Sequence, residues 1–286
     1  MVWGLTPSEV LASLRVPPDV EYGRGLDGDL AWIHRREGDA DIYFVANRAD
    51  RAQDLDVRFR VSGKEAELWR ADTGTGEPAG YGTADGRTTM RLHLEERESV
   101  FVVFRRATTS PARVVTRPHH SPLTTLEGPW EVRFTPNLGA PEKIRLAELA
   151  SWTASEVDGV KYFSGTATYS KTVQARPGWF RTGQRILLDL GALRDVAEVS
   201  LNGRPLGVLW KPPFRVDVTG ALKAGANRLE VRVTNQWTNR LIGDRTAPAD
   251  RKVLPGGVAG GIFGPPSVLN ESGLLGPVTL VTEGGR

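Results

Sequence analysis

Trp237, Asn239, Arg240 and Asp244 stand within eight positions of one another, and their types suit one kind of ligand. A pyranose presents a patch of C–H groups that an aromatic face can cover, and a rim of hydroxyls that planar amide, carboxylate and guanidinium groups can bond. These four are the candidate sugar-binding residues. The same spacing admits a structural use, in which Trp237 plugs a strand end and Arg240 pairs with Asp244 to hold a loop. Acid–base cleavage of a glycosidic bond requires two carboxyl groups roughly 5 to 9.5 Å apart. Glu156 with Asp158, and Asp244 with Asp250, are the pairs that could supply them. Each of these acids also reads as a solvated loop acid or a cap, and no spacing singles them out, so the catalytic set stays unassigned.

Other chemistries lack their defining patterns. There is no G-x-S-x-G elbow, no phosphate-binding loop and no H-E-x-x-H helix, which leaves nucleophilic serine, nucleotide and zinc-protease readings without geometry. His119 and His120 are adjacent in an extended stretch, so their side chains point opposite ways and do not share a metal. No metal and no cofactor are expected. Zero cysteine excludes disulfides and thiolate chemistry. Asn270-Glu271-Ser272 matches a glycosylation acceptor, a pattern short enough to arise by chance.

The candidate sugar residues open a stretch of 41 residues, Gln236 to Gly276, with little periodicity and many glycines, among them Gly256, Gly257, Gly260, Gly261 and Gly264. Loops beyond about 15 residues are uncommon in compact domains and tend to be functional or disordered. With Trp237 and Phe263 as apolar area, this segment is the expected functional surface, lining a sugar site, docking a catalytic domain or mediating self-association.

The elements around it are strands. Leu55, Val57, Phe59 and Val61 alternate with Asp56, Arg58 and Arg60, the period-two pattern of a half-buried strand. Similar runs lie at Leu30–Arg36, Asp41–Asn47, Ala66–Ala71, Thr88–Leu94 and Ser99–Arg105, six strands of a small antiparallel sandwich over 27–106. Thr6-Pro7-Ser8-Glu9 carries a capping box with proline at the first helical position, predicting a short helix from Pro7 to Arg15 within an N-terminal helical segment, 1–26. Residues 107–123 lose all period and read as a linker. Residues 124–286 are again β. Trp130–Phe134, Lys161–Val173, Ile186–Leu190, Ala197–Leu201, Leu206–Trp210, Phe214–Val218, Arg228–Thr234 and Val278–Val281 suit an eight-stranded jelly roll. Asn202-Gly203 is a type I′ hairpin turn, and Trp130 and Trp210 read as core or rim residues.

The fold class is therefore all-β, two antiparallel sandwiches with helix confined to short pieces. Hydrophobic residues at 40% and charged residues at 25% are globular values. No apolar run approaches the roughly 18 residues of a membrane span, and Met1 to Leu5 lack the features of a signal peptide. A soluble chain, with no membrane partner and of open compartment, is expected. The net charge is +3, and thirty arginines against seven lysines raise the pI without forming a basic cluster. Nucleic acid is not an expected partner.

Lys161-Tyr162-Phe163-Ser164-Gly165-Thr166-Ala167-Thr168-Tyr169, Leu188-Asp189-Leu190-Gly191, Leu201-Asn202-Gly203, Leu206-Gly207 with Trp210, Gly225-Ala226-Asn227-Arg228-Leu229 and Asn235 to Asp244 together resemble the galactose-binding-like jelly roll of family 2 glycoside hydrolases. They are more closely similar to that of the family 106 α-L-rhamnosidases. Val2-Trp3-Gly4, Trp32-Ile33-His34-Arg35 and Ser99-Val100-Phe101 resemble the region after the catalytic barrel of family 106, so the likeness covers nearly the whole chain. It implies a carbohydrate-associated, C-terminal β-rich portion without catalytic residues, because the family's carboxylates belong to a (β/α)₈ barrel that has no pattern here. A stand-alone glycosidase with an unrecognised carboxylate pair and a purely structural interdomain scaffold are the alternatives.

Overall fold

The computed structural model describes residues 4–23, 29–116, 118–254 and 268–284. About half of it is strand and 11% helix, which makes it all-β. The chain divides into two compact units, Met1–Arg117 and Pro118–Gly285.

In the first unit, α1 (Pro7–Ser13) starts at the Thr6 cap. The Thr6 hydroxyl accepts from the Glu9 amide, and the Glu9 carboxylate accepts from the Thr6 amide at 2.6 Å. Ten strands follow: β1 (Val20–Tyr22), β2 (Leu30–Glu37), β3 (Ala40–Asn47), β4 (Gln53–Phe59), β5 (Lys64–Arg70), β6 (Thr75–Pro78), β7 (Tyr81–Ala84), β8 (Arg87–Leu94), β9 (Ser99–Ala107) and β10 (Ala112–Arg113). They form two five-stranded antiparallel sheets, in the orders β1-β4-β8-β7-β10 and β2-β3-β9-β5-β6. Alternation sets which side chains go in. Leu55, Val57 and Phe59 of β4 and Tyr43 and Val45 of β3 are buried in one core with Val102 and Phe104 of β9. The six expected strands are present. The four additional ones are two to four residues long, too short for a period of two to register.

In the second unit the strands are β11 (His119–Thr125), β12 (Trp130–Phe134), β13 (Lys143–Leu146), β14 (Thr166–Ala175), β15 (Arg185–Asp189), β16 (Ala192–Arg194), β17 (Val196–Leu201), β18 (Arg204–Leu209), β19 (Arg215–Asp217), β20 (Gly225–Thr234), β21 (Gly273–Gly276) and β22 (Thr279–Gly284). A six-stranded sheet, β13-β12-β14-β20-β17-β18, and a four-stranded sheet, β11-β22-β15-β19, enclose one core, with β16 and β21 as a separate pair. Asn202 and Gly203 turn the β17–β18 hairpin with φ of 55° and 79°.

Several local expectations are corrected. The stretch 107–123 is not free of structure: Ala112–Arg113 pairs with β7, and β11 pairs with β22. The strand expected from Lys161 begins only at Thr166, because Asp158–Lys161 forms one helical turn, α2. The expected loop 236–276 opens with α3 (Thr238–Thr246) and ends in β21. Phe263 and the glycines from Gly256 to Gly264 lie outside the described residues.

Candidate functional site

Register brings the candidate segment to one end of the six-stranded sheet. Thr234, the last residue of β20, pairs with Thr166 at the start of β14 and with Val196 at the start of β17, while Ala197 pairs with Leu209 at the end of β18. The chain leaving β20 toward Trp237 and the chain leaving β18 toward Trp210 therefore emerge at the same end. Asn235 fixes the exit. Its side-chain oxygen accepts from the Gly165 amide, and its amide group donates to the Phe163 carbonyl, both at 2.9 Å.

Beneath this end lies an aromatic floor. Phe134, Trp152 and Phe163 pack edge to face, with ring centroids 4.8 to 5.7 Å apart, and Trp152 stacks on Tyr169. Trp152 Nε1 donates to the Tyr169 hydroxyl at 2.6 Å, and the Leu274 amide donates to the same oxygen at 3.1 Å. Burial pushes the Tyr169 phenol up to about 12, against the opposing pull of those two donors. Gly273, at φ 97°, leaves room for this pair, since a Cβ there would lie 2.6 Å from the Tyr169 hydroxyl.

Helix α3 is pinned over the floor by polar groups on its buried face. Asn239, Arg240, Gly243 and Asp244 are its buried residues. Asn239 donates to the Asn270 carbonyl at 2.7 Å and to Ser272 Oγ at 3.0 Å, and accepts from the Asn270 amide. The Arg240 amide donates to Ser164 Oγ. The Arg240 guanidinium meets Asp244 at 2.9 Å across one helical turn, and packs against Gly139 and Gly243, where added Cβ atoms would lie 3.1 and 2.6 Å from its nitrogens. Asp244 also accepts from the amides of Val253 and Leu254. Arg240 Nε is buried without a hydrogen-bond partner.

The expected sugar residues thus separate into two kinds. Asn239, Arg240 and Asp244 direct their polar groups inward, which is the loop-holding use anticipated for the Arg240–Asp244 spacing. Trp237 is 51% exposed and is no core plug, and Trp210 is 61% exposed at the same sheet end. Trp130, by contrast, is fully buried in the core. Among the carboxylates, Glu156, Asp158 and Asp250 are exposed and Asp244 is buried, so the two pairs do not share one environment. Ser164 and Ser272, both buried partners of α3, are not among the candidate sugar residues. Asn270 is occupied through its backbone, and Ser272 of the glycosylation pattern is buried. Among the described residues no group of three His, Cys, Asp or Glu side chains could hold a metal, and no helix is long and apolar enough to cross a membrane.

Comparison with known proteins agrees with this architecture. The α-L-rhamnosidase family model of glycoside hydrolase family 106 matches residues 1–83, and the glycosyl hydrolase 2 galactose-binding domain-like model matches residues 152–256, which include α3. A rhamnosidase from Novosphingobium sp. PP1Y superposes with a TM-score of 0.84 at 39% identity, over 96% of this chain and 26% of its own. The chain is rhamnosidase-like. A Formosa agariphila protein named as a candidate β-glucuronidase is 52% identical over 125 residues, 44% of this chain and 11% of that protein. The chain therefore spans only a minor share of either relative, and its parts resemble those of glycoside hydrolases.

Proposed function

We propose that this chain is a non-catalytic, carbohydrate-associated portion of a rhamnosidase-like glycoside hydrolase, with Trp237 as its sugar-contacting residue and Asn239, Arg240 and Asp244 as the residues that position it. The observation carrying this reading is the division within α3: the polar groups face inward onto the chain's own backbone, while the indole that starts the helix stands half in solvent. An exposed tryptophan on a rigidly held helix is a preformed platform for the C–H face of a sugar ring. Trp210 at the same end widens the apolar area, which equally suits docking of a catalytic domain.

The non-catalytic part follows from the carboxylates. Asp244 commits both oxygens to Arg240 and to two backbone amides. Glu156, Asp158 and Asp250 are exposed, without the burial that tunes one acid of a hydrolytic pair.

The test has two arms. Purified chain incubated with p-nitrophenyl α-L-rhamnoside and p-nitrophenyl β-D-glucuronide should release nitrophenol no faster than buffer. Turnover that survives purification and is lost in Glu156→Gln or Asp158→Asn overturns the reading and favours a stand-alone glycosidase. In the second arm, calorimetry with rhamnose-terminated oligosaccharides should give heat that Trp237→Ala abolishes. The structural-scaffold reading expects no heat from either protein.

A further inference from the structure

We propose that the first unit carries a second saccharide site, specific for anionic sugars, in the groove on the outer face of its β2-β3-β9-β5-β6 sheet. The groove has a volume of about 730 Å³ and is lined by Trp69, Phe101, Glu67, Arg105, Arg106 and Arg113, among others. The reading goes beyond the role given to α3, since it rests on different residues of a different unit.

The face follows from register. Glu67 pairs with Val103 and Trp69 with Phe101 across β5 and β9, so Glu67 and Trp69 share a side with Phe101, Val103 and Arg105, and Glu65, at the register shift between Lys64 and Ala66, also lines the groove. Ala66, Val102 and Phe104 on the other side belong to the core. The outer side of a sandwich sheet is ordinarily solvated and polar. Here it carries three aromatic residues, Phe44, Trp69 and Phe101, and a carboxylate, Glu67, that is only 7% exposed.

Glu67 is held by a built network. Trp69 Nε1 donates to it at 2.9 Å, Arg105 Nε reaches both oxygens at 3.2 Å, and Arg106 Nε lies 3.3 Å away. Burial alone would raise this carboxyl, but the donors from Trp69, Arg105 and Arg106 outweigh it and hold it below the ordinary carboxylate range. Gly76 on the neighbouring edge strand lets the indole lie close, because a Cβ there would come within 2.9 Å of Trp69 Cδ1. The Arg105 guanidinium sits 5.0 Å from the indole centroid. Trp69 is therefore held at its edge by Glu67 and Gly76 and over one face by Arg105, a fixed ring rather than a loose surface one.

Charge selects the occupant. Two guanidinium groups, Arg105 and Arg106, share the single Glu67 carboxylate, while Arg113 is neutralised by Glu65 at 2.5 Å. Arg70, on the same lining, is met by Glu77 and by the buried Glu98, and because Arg105 already bonds both oxygens of Glu67, Arg106, 64% exposed, is the guanidinium that can turn toward a ligand. A guanidinium fork matches a carboxylate or sulfate geometrically, and an aromatic floor matches pyranose C–H groups. An anionic saccharide satisfies both. A neutral sugar gives the exposed Arg106 guanidinium no anion to meet, and a simple anion leaves the aromatic floor unused.

The test is calorimetric titration of the full chain with tetragalacturonate, a sulfated tetrasaccharide and neutral maltotetraose. At least one charged ligand should bind, with affinity falling as salt is raised, and maltotetraose should bind at least tenfold more weakly. Arg106→Gln should weaken binding of the charged ligand about tenfold, the scale of one charge-assisted hydrogen bond. Arg97→Gln, an equally exposed arginine away from the groove, should leave it unchanged. Trp69→Phe and Trp69→Leu should both weaken binding, the leucine more, and Trp69→Phe guards against a variant that merely loosens the sheet. Binding of only the carboxylated or only the sulfated ligand assigns the anion within the proposal. Absence of binding by both charged ligands, equal binding of maltotetraose, or binding untouched by Arg106→Gln and both Trp69 variants would overturn it.

Discussion

Asp244→Ala isolates what the polar face of α3 contributes. The substitution removes the 2.9 Å contact with Arg240 and the acceptor for the Val253 and Leu254 amides. Val253 and Leu254 are partly exposed residues next to solvent, so the loss of their acceptor adds little. The guanidinium is buried: its side chain is 6% exposed and its Nε already lacks a partner. Leaving one partner of a buried ion pair uncompensated costs about 3–5 kcal/mol. With the helix next to irregular chain that can relax, about 3 kcal/mol is the expected loss, a large share of the 5–15 kcal/mol typical of a domain. Two units make a single unfolding free energy ill defined, so the readout must be local. Amide hydrogen exchange should lose protection across Thr238–Leu254 while β3, β4 and β9 of the first unit keep theirs. The double variant Arg240→Met/Asp244→Leu, which replaces the pair by apolar groups of similar reach, should recover at least half of the loss. A single variant costing less than about 1 kcal/mol, or a double variant as unstable as the two single ones added, would refute the assignment of the pair as an internal latch.

Trp237→Ala should change the second unit's stability by less than about 1 kcal/mol, because the indole is half exposed; thermal unfolding read beside calorimetric sugar titration checks that binding falls while the fold stays. Gly273→Ala combines a left-handed backbone position with a Cβ placed 2.6 Å from the Tyr169 hydroxyl and 2.7 Å from Trp152 Nε1, and should cost more than about 3 kcal/mol in denaturant unfolding. Alkaline pH should also weaken the second unit. With Tyr169 at about 12 in the folded state and about 10 in the unfolded state, the unfolded chain releases its proton first, so stability is intact below pH 10 and falls as pH rises to 12. The size is roughly 2 to 3 kcal/mol at 1.36 kcal/mol per unit. Comparing Tyr169→Phe with the parent across that range should show a shallower fall in the variant, and an identical slope would refute it.

The strands most legible in the sequence are those whose two faces meet different surroundings, from the eight residues of β3 down to the five of β12. β3 and β4 alternate buried and less buried positions without a break, and so does much of β20. β6 has no buried residue and presents Thr-Gly-Glu-Pro to solvent throughout, so period two has nothing to write in it. α2 is a single turn, too short for a 3.6-residue repeat, and Tyr162 to Gly165 after it mimic the start of a strand. The candidate site was half legible. Residue types located the segment and its Arg240–Asp244 pair, but neither the helix it forms nor which way the polar groups point.

That direction has a physical cause. An amphipathic helix on a β core usually buries an apolar stripe, and a sequence reader relies on that stripe. α3 instead lies against irregular chain, namely Phe163–Ser164, Val253–Leu254 and Asn270–Ser272. Irregular backbone has no strand neighbour, so its amides and carbonyls need partners from side chains. Asn239 meets both backbone groups of Asn270, and Asp244 meets two successive amides at Val253 and Leu254. Asn239 and Asp244 are therefore buried on α3 because they complete the backbone hydrogen bonding of the segments around it, and Arg240 because it pairs with Asp244. The same types at the same spacing would be chosen to hold a sugar, since hydroxyls and peptide groups ask for the same donors and acceptors. Exposure separates the two uses where residue type cannot, and it leaves Trp237 as the member of the set whose loss should affect binding without first unfolding the helix.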